Sequence, residues 1–410
     1  RAAVVAAGRF GVDSTSDRVL ELTKAPDPDF QSAGLTALSD LGDPRAVELA
    51  VSALENDRSR LAGLKYLGQF GGPDQLDAVV SVAKRDLSTD VQIAALRAVE
   101  NWHESDAVSS SDAELLEEAM ARQQGESGLL LRWRVTDAIA ADEAQELTDR
   151  IRNDGMTLSE TGVPLTVQIV SGADAVLRFS PGTESTDGAV WLSESVVHVE
   201  SDTDIEFLAG SDGALQVFLN GESIHARETS GPFQTDSDRF GASLKPGENR
   251  VLAALSDTQS SPRLQIRFRR RSSKAEHERL ISRVLSAAGN TERGREVFHN
   301  AEKSLCLKCH RFGNDGGRIG PDLTGIGRRF SKIHLIESLL QPSRTVAPSY
   351  ESLAVLLADG RVVTGVKVSE TESTLTLGDS EGKLHELPLT DIDERRVQPI
   401  STMPEGLEKR

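Results

Sequence analysis

The chain has 410 residues, 46 Lys plus Arg against 64 Asp plus Glu, and a formal net charge of −18. That balance excludes binding to nucleic acid through bulk charge, and the length predicts several domains rather than one core. No apolar run approaches the roughly 20 residues a membrane-crossing helix needs; the longest, such as Ser352 to Ala358, suit buried strands.

The chain begins inside an apolar, helix-like stretch without methionine, which suggests a piece of a longer protein with any signal peptide upstream. Residues 1–150 then carry a loose helical repeat. Phe10, Leu41, Phe70 and Trp102 each sit beside a turn, at spacings of 31, 29 and 32 residues, the scale of a helical-pair solenoid unit. The segments Ser32 to Leu38, Leu61 to Leu67 and Gln92 to Val99 place apolar residues at i, i+3 and i+4, so each unit can bury its face on the next. Asp43-Pro44 and Pro73-Asp74 suit turns and first helical positions. The pattern resembles HEAT-like repeats.

Residues 155–270 change texture to short alternating runs such as "LTVQIV", "LQVFLNG" and "LQIRFRR", separated by Gly, Asp, Ser and Pro. That is the pattern of an antiparallel sandwich. "AGSDGALQVFLNGESI" followed by "LKPGENRVLAAL" resembles the jelly-roll sandwiches of the galactose-binding-like class, with Asn220-Gly221 closing a hairpin. The resemblance makes carbohydrate a possible partner, although Trp191 is the one large aromatic in reach and suits a core position. A linker helix is predicted over 271–289.

The two cysteines of the chain fall in "CLKCH", Cys306 to His310. Three chemistries compete for such a motif. Zinc would need a fourth ligand from a second Cys or His pair, and none is present. A dithiol redox pair belongs where a strand enters a helix, whereas the preceding segment reads as helix. Covalent attachment of haem c fits: cysteines at i and i+3 share one face of a helical turn and can form thioethers with two vinyl groups, and His310 follows as proximal axial ligand.

The segment from "GREVFHNAEKSLCLKCHRFGNDGGRIGPDLTGIGRRF" onward resembles the cytochrome c domain of planctomycete and verrucomicrobial haem-binding proteins, over about the last 120 residues. That resemblance implies that Pro321 in "GPDL" gives its carbonyl to the proximal histidine. It also implies that a Met-Pro pair supplies the sixth ligand. Of Met120, Met156 and Met403, the last, in "STMPEGL", is the candidate; His334, His299 and His385 are the alternatives. Met403 lies 93 residues after His310, and the alternating segment Tyr350 to Ile392 predicts an inserted β-meander at about 350–395 within a mainly α cytochrome domain spanning 290–410.

Between Asn290 and Arg344, ten Lys or Arg face six Asp or Glu, and Arg328, Arg329 and Arg344 are candidates to offset haem propionates or to steer an acidic redox partner. The expected function is a His/Met-ligated c-type electron-transfer module of a larger extracytoplasmic oxidoreductase, fed by a partner protein or an upstream dehydrogenase domain. The alternative is a scaffolding or carbohydrate-binding module with a haem-based sensor. No nucleophile elbow, phosphate loop or metal-ligand histidine cluster points to independent enzyme activity, so no catalytic residue is assigned.

Overall fold

The structure is a computed structural model; it describes residues 2–10, 15–86, 88–105, 108–170, 175–180, 188–229, 231–256, 262–272, 274–300, 304–330, 332–344, 346, 350–371 and 373–409. The chain forms two compact units, Arg1–Arg271 and Ser272–Arg410.

The first unit opens with eight helices: α1 (Ala2–Arg9), α2 (Ser16–Thr23), α3 (Pro28–Asp40), α4 (Val47–Ala53), α5 (Arg60–Phe70), α6 (Leu76–Arg85), α7 (Thr89–His103) and α8 (Ser110–Ser127). Successive helices pack through small residues. A Cβ on Gly63 would lie 2.7 Å from the Ala50 carbonyl, and one on Gly34 would strike Thr23. Those glycines let α5 meet α4, and α3 meet α2, at backbone distance. Leu35, Leu38, Leu64, Leu67 and Leu96 are fully buried along the stack, each contributing about 1.5–3 kcal/mol of apolar burial. Two aromatics tie neighbours together by hydrogen bonds. The Tyr66 hydroxyl donates to the Asp43 carbonyl and accepts from the Ala46 N–H, and the Trp102 indole donates to the Leu67 carbonyl at 2.9 Å. The four residues aligned as repeat anchors are not equivalent, because Trp102 is buried whereas Phe10 is 82% exposed at the end of α1.

Helical repeats give way to sheet earlier than the sequence reading places the change. The strand β1 (Arg132–Thr136) already belongs to the sandwich, inside the range read as helical repeat, and α9 (Ala141–Asp154) packs on that sandwich. The remaining strands are β2 (Leu165–Ile169), β3 (Leu177–Arg178), β4 (Trp191–Val199), β5 (Thr203–Ser211), β6 (Ala214–Leu219), β7 (Glu222–Arg227), β8 (Asp238–Leu244), β9 (Gly247–Ser256) and β10 (Arg263–Arg270). They form antiparallel sheets of order β2-β1-β4-β9-β6-β7 and β3-β10-β5-β8. Alternation sets the layers. Val251, Ala253 and Leu255 face the second sheet's Phe207, Ile266 and Phe268, while Leu252 turns outward to Leu147 and Ile151 of α9. Asn220 and Gly221 both take left-handed φ, 52° and 84°, as the two-residue β6–β7 hairpin requires. Trp191 is a core residue: it is 4% exposed, packs on Phe179 and donates to the Ser180 carbonyl.

Polar groups weld repeats to sandwich. The Gln124 side chain of α8 accepts from the Leu131 and Arg132 amides at 2.7 and 2.8 Å and donates to the Val196 carbonyl at 2.7 Å. The Arg132 guanidinium meets Glu100 of α7 in a buried pair and reaches Glu117 of α8 at 3.2 Å. Burial opposes the Arg132 charge, but Glu100 and Glu117 more than offset it and hold the group protonated.

The second unit contains α10 (Ala275–Ser286), α11 (Thr291–His299), α12 (Cys306–Cys309), the two-residue strands β11 (Arg311–Phe312) and β12 (Asp315–Gly316), and α13 (Lys332–Leu340). A five-stranded antiparallel sheet follows: β13 (Glu351–Leu357), β14 (Val362–Glu370), β15 (Thr374–Gly378), β16 (Leu384–Pro388) and β17 (Ile392–Ser401), in the order β16-β15-β14-β13-β17. Val355, Leu357, Leu375, Leu377 and Leu387 form its core. The sheet runs past the expected end near 395, because β17 returns along β13 to Ser401. The helix read as a linker, α10, packs on α13 within this unit. Among the described residues no helix is long and apolar enough to cross a membrane.

Candidate haem-attachment site

The motif forms a single helical turn. Leu305 precedes it in the left-handed region at φ 59° and carries no glycine's freedom, a local cost that neighbouring contacts must hold in place. The His310 amide closes the turn on the Cys306 carbonyl at 2.9 Å, and His310 itself leaves in extended conformation. Cys306 and Cys309 are free thiols, both half-buried.

The segment from Gly316 to Pro321 wraps back over this turn, and glycine is required where it does so. A Cβ on Gly316 would lie 2.1 Å from the His310 carbonyl oxygen, and one on Gly317 2.2 Å from that of Lys308. The Gly317 amide donates to the Leu307 carbonyl and the Gly320 amide to that of Cys309, both at 2.8 Å. Gly320 lies flat against the imidazole, where a Cβ would fall 2.8 Å from Cε1 and 2.9 Å from Nδ1 of His310.

The ring is oriented from this same strap. Its Nδ1 lies 2.9 Å from the Pro321 carbonyl oxygen. A carbonyl only accepts, so Nδ1 carries the hydrogen and Nε2 keeps its lone pair for a ligand. Burial pushes the imidazole below its ordinary range and favours the neutral, ligating form; the Pro321 hydrogen bond acts in the opposite sense and is outweighed.

The β15–β16 turn also reaches the motif. A Cβ on Gly382 would lie 2.9 Å from Cβ and 3.1 Å from the carbonyl oxygen of Lys308, and Gly378 sits against buried Ile319. Asp379 lies between these contacts, accepting from the Glu381 and Lys383 amides at 2.9 Å and pairing with His385 Nε2 at 2.7 Å. Burial and the Asp379 charge raise the Cys309 thiol above its usual range, with Lys308 acting in the opposite sense. Neither Gly320 nor Asp379 was singled out from sequence; the first sits in the quoted "GPDL" context, and the second has no local signature.

Met403 is half-buried in the turn after β17, its amide donating to Ser401 Oγ at 3.1 Å, and Ser401 is tied to Ser343. Arg329 donates to the Asp322 carbonyl, Arg344 pairs with Glu337 at 3.2 Å, and Arg328 is exposed. The alternative histidines are engaged: His385 with Asp379, His299 with the Arg295 carbonyl at 2.9 Å, and His334 stacked on Phe330 at 4.6 Å.

The residues fit a covalently held haem. The set comprises two half-buried thiols on one turn, a neutral imidazole fixed by a carbonyl, and a glycine whose lack of a side chain leaves room for the ring. Nearby elements present apolar surface: α11, which packs on the motif turn, has no buried residue, and Val297 and Phe312 are 49% and 39% exposed. Among the described residues no three His, Cys, Asp or Glu side chains converge as a metal-ion cage.

A HEAT-repeat family model matches residues 17–100. Among solved structures, the PA14 sugar-binding domain of an RTX adhesin is 13% identical with a TM-score of 0.24, covering 35% of this chain and 90% of that one. A β-glucosidase from Kluyveromyces marxianus is 15% identical with a TM-score of 0.19, covering 23% of this chain and 12% of that one. A cytochrome c-553-like protein from Synechocystis sp. is 33% identical over 79 residues, which is 19% of this chain and 70% of that protein. Through that segment the chain belongs to the cytochrome c-553-like family, and it carries HEAT repeats on the same polypeptide.

Proposed function

We propose that this chain is the c-type cytochrome electron-transfer module of a larger extracytoplasmic oxidoreductase, holding one covalent haem c. The observation that carries the reading is the His310 Nδ1 contact with the Pro321 carbonyl at 2.9 Å, directly behind two cysteines on one helical turn. Cys306 and Cys309 would each add across a vinyl C=C, the sulfur bonding one carbon and the thiol hydrogen passing to the other, with no net redox change. His310 would ligate through Nε2. Met403 would be the candidate to supply a thioether ligand, and a soft ligand of that kind suits electron passage at a raised potential. Arg328 is exposed and is the candidate to meet a propionate, since Arg329 and Arg344 have partners among the described residues.

The resemblance to planctomycete and verrucomicrobial haem-binding proteins supports this reading, as does the membership of the cytochrome c-553-like family. Haem c attachment outside the cytoplasmic membrane motivates the extracytoplasmic assignment. The repeats and sandwich would hold an upstream dehydrogenase domain, a redox partner or a carbohydrate near the haem.

The visible spectrum of the haem-loaded protein tests the ligation. Wild type is expected to show the weak Met-to-iron charge-transfer band at the red end and to resist carbon monoxide; Met403→Ala loses the band and binds carbon monoxide. A wild type that lacks the band and binds carbon monoxide readily overturns Met403 ligation and favours a haem-based sensor.

A further inference from the structure

The inserted sheet is more than a spacer between His310 and Met403, because one of its turns is built onto the attachment motif. Gly378, at the end of β15, has no room for a side chain against Ile319, where a Cβ would lie 2.6 Å away. Four residues later Gly382, at φ 85°, presses its backbone on Lys308. Between them Asp379 is fixed by three interactions: two amide donors of its own turn and His385 on β16. Burial works to raise the Asp379 carboxyl, but His385 and the amides outweigh it and keep the group below its ordinary range, hence ionised at neutral pH.

We propose that the β15–β16 turn is a tuning clamp on the haem-attachment turn: Gly382 and the Gly378–Ile319 contact hold Lys308 to His310 in place, and Asp379, between those two glycines, sets a fixed negative charge in the turn that packs on Lys308. The electrostatic half rests on the haem reading above; the clamping half does not. With haem bound, a fixed carboxylate in a turn packed on the attachment motif would stabilise the oxidised, more positive state and so lower the midpoint potential. Asp379 is therefore a positioning and tuning residue that touches neither substrate nor iron.

Two measurements on the full chain separate the halves. In the haem-loaded protein, Asp379→Asn keeps the acceptor for the turn amides and removes the charge, so the midpoint potential rises with the ligation spectrum unchanged; Asp379→Ser gives the same readout where Asn does not fold. An unchanged potential in a folded, loaded variant overturns the tuning. In the haem-free protein, Gly382→Ala pushes a methyl group into Lys308, so exchange of the His310, Gly317 and Gly320 amides accelerates at least tenfold while the β4 and β9 amides keep their protection. Unchanged exchange at those three amides overturns the clamp. If wild type acquires no covalent haem, the proposed function fails while the exchange result still decides the clamp.

Discussion

Gly320→Ala displaces the His310 imidazole and destabilises the second unit by about 1–3 kcal/mol, the usual cost of adding a methyl group where there is no space. The new Cβ would sit 2.8 Å from Cε1 and 2.9 Å from Nδ1. The ring has to give way, and with it goes the hydrogen bond to the Pro321 carbonyl at 2.9 Å, worth about 0.5–1.5 kcal/mol. Thermal unfolding should show a lower midpoint for Ser272–Arg410 with the first unit's transition unmoved, and the loaded protein should lose its native axial-ligand spectrum. Pro321→Ala is the matched control, because the acceptor is main chain and survives the substitution. A Gly320→Ala protein with wild-type stability and spectrum would show that the strap does not orient the ring.

The second large effect is in the first unit. Glu100→Ala leaves Arg132, 8% exposed, with Glu117 as its remaining carboxylate at 3.2 Å. Breaking a buried ion pair by removing one partner costs about 3–5 kcal/mol, and the exposed side of Glu117 places this case near the lower figure. That is a large share of the roughly 5–15 kcal/mol that holds a domain folded. Denaturant unfolding should register it as a fall in midpoint at unchanged slope. Glu100→Gln, which keeps an acceptor, should lose less. A cost below about 1 kcal/mol for Glu100→Ala would mean that the Glu100–Arg132 pair does little to join repeats and sandwich.

These two sites mark what could be read from residues and what could not. Helical periodicity over Leu61 to Leu67 and Gln92 to Val99 carried α5 and α7, because the same spacing that reveals a helix is the one that buries it. The Asn220-Gly221 hairpin was legible for a similar reason: few residue pairs accept two left-handed positions. By contrast β1, "RWRVT", is a five-residue run crowded with arginines whose charge is neutralised by Glu100 and Glu117, far away in sequence. β17, "IDERRVQPIS", is polar because it is an edge strand paired only with β13. Its composition gave no apolar alternation to follow.

In the second unit the spacing of Cys306, Cys309 and His310 is the local signal on which the haem c proposal rests. The contacts that shape the site are tertiary: Gly320 against the imidazole, Gly382 against Lys308, Asp379 within the field of Cys309. Each joins segments that only the folded strap and sheet bring together. Trp102 and Phe10 teach the same point from the repeats, where one periodic signal covers a buried hydrogen-bonded indole and a solvent-facing ring at a helix end.

The most direct test of the account is whether the full chain, produced with haem c maturation machinery, retains haem after acid-acetone extraction and denaturing electrophoresis. The account predicts an intact mass increased by one haem, with both thiols consumed and the modification on the peptide containing Cys306 and Cys309. Haem that extracts completely, or a protein whose two thiols remain free under those conditions, would contradict it.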